Sequence, residues 1–400
     1  MTFALNVYFL LFLAGYFLTY PLRVLMQNNE LSVLPLTVAP GAALVALSLL
    51  VNFPRARLRV RGLVLWGLLA TLSALYAINA SIVPEFTMLG ELSRKHAVFL
   101  LAVAPVLLLH SHLDFRRIVR PLALLLVVLA VVQLLGVMAN SFLYRMPVNP
   151  EALNDKYFVG FLLRAGAGYM DPNFLAINFL LLLFAVRGFV AAGAMRIVAQ
   201  VCLVAAIGLT FSRSAWVLLV LASLYLAATE RGIAAATKLL GVFAAALAAM
   251  LTTEYSVLLR RFTDAEGVGS AQDRLEQYDL ALGAFDRHSG LLSMVQGLGG
   301  PDWFYATTGR HLHSFYMGLV LDAGWLATVL VGLTLYYAFR KMRGQWRVML
   351  VLWAAAVASL PTVPDTFYMA VALGIAGTWW LETQQAAFVR TVRASTGAAA

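Results

Sequence analysis

The chain has 400 residues, 62% of them hydrophobic and only 12% charged, with a formal net charge of +10 and a mean hydropathy of +0.83. A soluble domain carries about a quarter charged residues, and the apolar residues here come in runs of about twenty, the length that spans a bilayer. Composition therefore excludes a soluble globular protein. The positive balance does not mark a nucleic-acid binder either, because the Lys and Arg residues are scattered between apolar runs, as loop charges are in a membrane protein.

Apolar runs bounded by charge, Pro or Gly predict twelve spans, at 3–20, 31–51, 62–82, 95–110, 118–138, 172–190, 196–211, 213–229, 232–252, 313–338, 346–361 and 366–383. The first has no basic stretch ahead of it and others follow at once, so a retained span is expected and not a cleavable signal peptide. The single cysteine, Cys202, lies inside the seventh run, so no intramolecular disulfide can form.

Orientation follows from the loops. One set holds Arg55, Arg57, Arg59, Arg61, Arg116, Arg117, Arg120, Arg187, Arg196, Arg231, Lys238, Arg340, Lys341, Arg343, Arg347, Arg390 and Arg393, against Asp114, Glu230 and Glu382. Seventeen basic and three acidic residues on one side leave 12 basic and 16 acidic on the other. By the positive-inside rule the first set is cytoplasmic, so both termini are inside and twelve is the count that keeps every connection consistent. The expected fold is a single all-α polytopic domain over 1–400.

Two long segments then face outward, 139–171 and 253–312, and long loops of this kind tend to carry function. Within the second, Ala271 to Arg287 reads as an amphipathic helix, with Leu275, Tyr278, Leu282 and Phe285 at helical spacing. Such a helix suits a membrane surface.

Charge at a membrane boundary is costly and marks a candidate site. Arg213 sits between Ser212 and Ser214 in a tight outer turn, where a guanidinium fork can grip a phosphate. Arg164 precedes a glycine-rich turn ending Asp171-Pro172-Asn173, with Asp171 a helix cap and Pro172 a first helical residue. That helix start could attract an anion. Arg274 opens the amphipathic helix, close to Asp273 and Glu276, so a solvated ion pair competes with a ligand role. His313 begins the tenth span, and histidine can serve as a base near neutral pH. Secondary candidates are His311, Arg310, Ser212, Ser314 and Tyr316. Asp264 and Glu266 could hold a cation, but a solvated acidic face is the plainer reading. No zinc spacing, Walker loop or dinucleotide fingerprint is present.

Three blocks in this order carry a resemblance. The first is Arg164 with Asp171-Pro172-Asn173-Phe174-Leu175-Ala176, followed by Ser212-Arg213-Ser214-Ala215. The second is Arg274-Leu275-Glu276-Gln277-Tyr278, then Ala281 and Gly297, Gly299, Gly300. The third is His313-Ser314, then Gly324-Trp325-Leu326-Ala327. Together they resemble the O-antigen ligase and polymerase superfamily. Ligases often carry Gly, Thr or Tyr where Ala327 stands, so both subfamilies stay open, with the ligase favoured.

The resemblance implies a membrane glycosyltransferase fold in the bacterial inner membrane, with a long helical periplasmic loop and an active site facing the periplasm. It implies a polyprenyl-diphosphate-linked glycan as donor, a lipid A-core oligosaccharide hydroxyl as acceptor, and neither cofactor nor metal. His313 would be the catalytic base, and Arg213, Arg164 and Arg274 would bind the diphosphate. A polymerase would use a glycan on a second lipid carrier as acceptor. A secondary transporter is the alternative of another class, but the charges cluster at one face and no matching halves appear.

Overall fold

The computed structural model describes residues 1–52, 58–143, 158–159, 162–163, 165–166, 169–231, 265–288, 295–309, 312–358, 360 and 364–397. Apart from a two-residue antiparallel pair, β1 (Phe158–Val159) with β2 (Leu162–Leu163), the described elements are helical. In chain order they are α1 (Thr2–Met26), α2 (Leu34–Asn52), α3 (Val60–Ile82), α4 (Thr87–Leu109), a short 3-10 turn (His110–His112) and α5 (Phe115–Leu143). After β1 and β2 come α6 (Pro172–Phe189), α7 (Ala194–Leu209), α8 (Arg213–Arg231), α9 (Ala265–His288) and α10 (Gly300–Thr308). The last three are α11 (Phe315–Lys341), α12 (Gln345–Val357) and α13 (Pro364–Gly397).

Seven of these helices are long and apolar enough to cross a membrane: α1 to α6 and α11. α7 and α12 are apolar but shorter, with 16 and 13 residues. Eleven of the twelve predicted runs fall on helices, while 232–252 lies outside the described residues. The outward faces carry large apolar side chains, among them Leu101, Leu135, Val201, Val329 and Tyr336. A soluble surface would not leave so many uncovered, and this is the build of a helical membrane protein.

With hydrocarbon outside as well as in, helices gain by close approach and by satisfying buried polar groups on one another. Tyr8 Oη donates to Ala102 O on α4, Tyr16 Oη to Asn178 Oδ1 on α6, and Gln133 Nε2 on α5 to Phe17 O on α1. Glycines supply the close approach: a Cβ on Gly188 or Gly377 would overlap the fully buried indole of Trp346, which also packs on Phe189 at 5.2 Å. Gly377→Val is therefore expected to overpack this site by about 1–3 kcal/mol. The measurement is melting temperature in detergent, which should fall by several degrees for this variant and stay put for Gly67→Ala, whose Cβ meets nothing within 4 Å.

The two ends of the bundle differ. At one end Arg61 pairs with Glu382 at 2.8 Å, Arg343 approaches the same carboxylate at 3.9 Å, and Arg59 covers the Trp379 ring. Trp379 and Trp380 donate to Leu113 O and Gly188 O there. At the other end lie the starts of α2, α4, α6, α8 and α11, together with α9 and α10.

Candidate functional site

The first predicted block is a turn held from three sides. Ala165 N–H donates to Leu209 O at the end of α7 (3.0 Å), and Gly166 N–H to Asn140 Oδ1 on α5 (2.8 Å). Gly166 has φ 96°, and a Cβ there would lie 2.6 Å from Met170 O, so only glycine closes this turn. Arg23 completes the clamp, its Nε donating to Leu31 O and its Nη1 to Tyr169 O. Sequence reading passed over Arg23 because it ends an unbroken apolar run. Arg164 and residues 167–168 lie outside the described residues.

The Leu209 contact brings the Arg164 block beside the turn that launches Arg213, the half-buried first residue of α8. Asp171 caps α6 as the sequence predicts, accepting from Asn173 N–H (2.8 Å) and Phe174 N–H (3.4 Å). Its carboxylate thus already occupies the helix start, which leaves that spot unfavourable for a second anion. Ser212, a predicted candidate, is buried and serves the fold: its Oγ lies 3.2 Å from Ser214 Oγ and 3.5 Å from Ala215 N at the start of α8.

The second and third blocks meet each other. His313 N–H donates to Gln277 Oε1 at 3.0 Å, tying the start of α11 to α9. Arg274 lies one turn before Gln277 on α9, though its side chain is outside the described residues, as are Arg310, His311 and Asp264 and the side chain of Glu266. The His313 side chain is half-exposed. Its neighbours have other duties. Ser314 is buried and caps α11, accepting from Met317 N–H at 3.3 Å, and Tyr316 Oη donates to Ala354 O on α12 at 2.8 Å. Tyr278 Oη likewise reaches Ala358 O at 2.7 Å. Since α12 also packs against α8, it is the element both pairs of blocks touch.

The predicted amphipathic helix exists but docks differently. Among its described side chains Gln277, Ala281 and Ala284 are buried, while Leu275 is 62% exposed and Leu282 39%. Small residues let α9 approach the cluster of Phe304, Leu312, Val320 and Leu321 closely, so the larger leucines turn outward. The side chain of Phe285 is outside the described residues.

The glycines of the second block find their partner in the third. α11 breaks at Ala323 (φ −147°, ψ 21°) and Gly324 (φ 76°, ψ 178°). The break releases the carbonyls just before it from helical pairing, and Leu298 N–H donates to Leu321 O at 2.8 Å. Asn79 on α3 grips the same turn from behind, accepting from Gly297 N–H (2.8 Å) and donating to Val295 O (3.1 Å). A Cβ on Gly300 would lie 2.6 Å from Asp322 Oδ1, so the start of α10 rests on that carboxylate.

Asp322 is fully buried and accepts from Tyr76 Oη through Oδ2 at 2.7 Å. Tyr76 stacks on His96 (4.0 Å between centroids), whose Nδ1 lies 3.1 Å from Tyr368 Oη. His96 is too enclosed to meet a substrate from outside. Asp322 is a further residue that sequence reading missed, although an acid alone in the apolar stretch 315–339 was its signal. Compared with known proteins, the chain matches no family model, no curated protein and no solved structure.

Proposed function

We propose that the chain is a membrane glycosyltransferase of the O-antigen ligase type, moving a glycan from a polyprenyl diphosphate to a hydroxyl of the lipid A-core oligosaccharide on the periplasmic side of the inner membrane. The observation that carries this reading is the pairing of distant blocks: Ala165 on Leu209 beside Arg213, and His313 on Gln277 beside Arg274, with α12 shared between them. Each contact joins two stretches far apart in sequence, and both pairs adjoin residues that this reading assigns to the base and the cations.

Twelve spans with both termini inside is the topology that goes with it. In its support, Arg59, Arg61, Arg343 and Glu382, all from loops assigned to the cytoplasm, cluster at one end. His313, Arg213 and α9 stand at the other, and the outward leucines of α9 suit a helix lying on the membrane surface.

In this mechanism the His313 imidazole takes the proton of the acceptor hydroxyl as its oxygen attacks the anomeric carbon. The carbon–oxygen bond to the diphosphate breaks, the diphosphate leaves with the electron pair, and the anomeric centre inverts. Arg213, Arg164 and Arg274 neutralise the leaving charge, so neither a general acid nor a metal is required.

The test is transfer by the purified protein in lipid nanodiscs, supplied with a defined lipid-diphosphate glycan and both acceptors. Glycan appearing on lipid A-core supports the ligase; longer lipid-linked chains instead identify a polymerase; neither product overturns the reading. Arg213→Lys keeps charge and loses the fork, so kcat should fall roughly tenfold to a hundredfold, the effect of one or two lost charge-assisted hydrogen bonds. Unchanged kcat would rule out bidentate gripping.

A further inference from the structure

At the end of the bundle away from His313, α6, α7 and α8 line an open cleft of about 420 Å³. Its walls are Phe184, Ile197, Val204 and Leu219, and its polar groups include Arg187 and Arg196; among the described residues no acidic one lines it. Arg196 stands in the first turn of α7, whose N-cap is Gly193, with no side chain capping the helix. Arg187, Arg196 and the start of α7 thus border one mouth, to which the positive end of the helix dipole adds. Beside that mouth, Ile197 (60%) and Val201 (61%) are exposed along α7. A cationic mouth continuing into an apolar cleft has the two-part character of a phospholipid, and basic pockets between spanning helices take anionic headgroups.

We propose that this cavity binds one anionic phospholipid, its phosphate between Arg187 and Arg196 at the start of α7 and an acyl chain along Ile197 and Val204. A zwitterionic lipid brings its own cation to a mouth that already holds two. Free phosphate leaves the apolar walls unused. The site is separate from the proposed transfer chemistry, and its test needs no turnover.

The full chain in detergent is incubated with phosphatidylglycerol, phosphatidylcholine or inorganic phosphate, and retained ligand is read by native mass spectrometry. One phosphatidylglycerol should be retained, and neither of the others. The double variant Arg187→Gln/Arg196→Gln should retain it roughly thirtyfold more weakly, from the loss of two charge contacts. Arg340→Gln/Arg347→Gln, which removes two basic residues outside the cavity lining, should retain it unchanged. Ala192→Trp at the exposed rim keeps both arginines and plugs the mouth, and should also lose the lipid, which keeps the test open if the double variant does not fold. Equal retention by the cavity variants and the wild type, equal binding of phosphatidylcholine, or phosphate binding as tightly as the lipid would each overturn the proposal.

Discussion

Replacing His313 with alanine is expected to lower kcat for glycan transfer by about 10²- to 10⁴-fold, the span that general-base catalysis contributes, while leaving the fold in place. The expectation of an intact fold comes from how His313 is held. Its backbone N–H bonds Gln277, and Ser314 caps α11 independently. Both interactions survive the substitution, so melting temperature in detergent should move little. Binding of the lipid-diphosphate donor should survive as well, because the arginines assigned to it are untouched. Near wild-type turnover in the alanine variant would remove His313 from the chemistry, and a collapse in melting temperature would make it a structural residue instead.

Gly324→Ala should have the largest effect among substitutions that touch no proposed ligand contact. At φ 76° and ψ 178° Gly324 occupies a region open essentially to glycine alone. Forcing a Cβ there costs about 1–3 kcal/mol, and the chain has a costly way to relieve it, which is to straighten α11. Straightening would return Leu321 O to helical pairing, take it from Leu298 N–H, and shift Asp322 from under the start of α10. Melting temperature should fall by several degrees and transfer should fall with it. Gly332→Ala, farther along the same helix with nothing within 4 Å of its Cβ, should be neutral or slightly stabilising. Equal behaviour of the two variants would mean that the break carries no constraint.

Much of the architecture can be read directly from the residues, because apolar runs and their boundaries are local properties. The amphipathic segment at 271–287 is a helix, extended to Ala265–His288, and Asp171 with Pro172 opens α6 as the cap rule requires. The break in α11 cannot be read this way, since Gly324 sits in a run whose composition suits an unbroken helix. The helix Gly300–Thr308 went unexpected for a related reason: it is short, and it rests on Asp322, which is remote in sequence. Ser212 and Ser314 illustrate a different ambiguity. A small hydroxyl at a helix start suits both capping and ligand contact, and only the bonds to Ala215 and Met317 assign them to capping. Gln277 carried no signal of its own, because an amide is common on any solvated helix and becomes informative only once His313 is found beside it.

The break at Ala323–Gly324 also decides where mechanical load travels. The outer segments are fastened sideways to the α3–α4 hairpin: Asn79 holds the turn before α10, Phe86 lies under Gly299, and Asp302 accepts from Met88 N–H at 2.8 Å. The Tyr76–Asp322 bond secures α11 to the same hairpin just before its helix is interrupted. A pull on α10 is thus taken up by α3 and α4, whereas α9 is held separately, by Gln277 at the start of α11 and by Tyr278 at Ala358. α10 and the turn before it therefore hang from one hairpin as a shelf hangs from its bracket, while α9 leans on the helices of the other side.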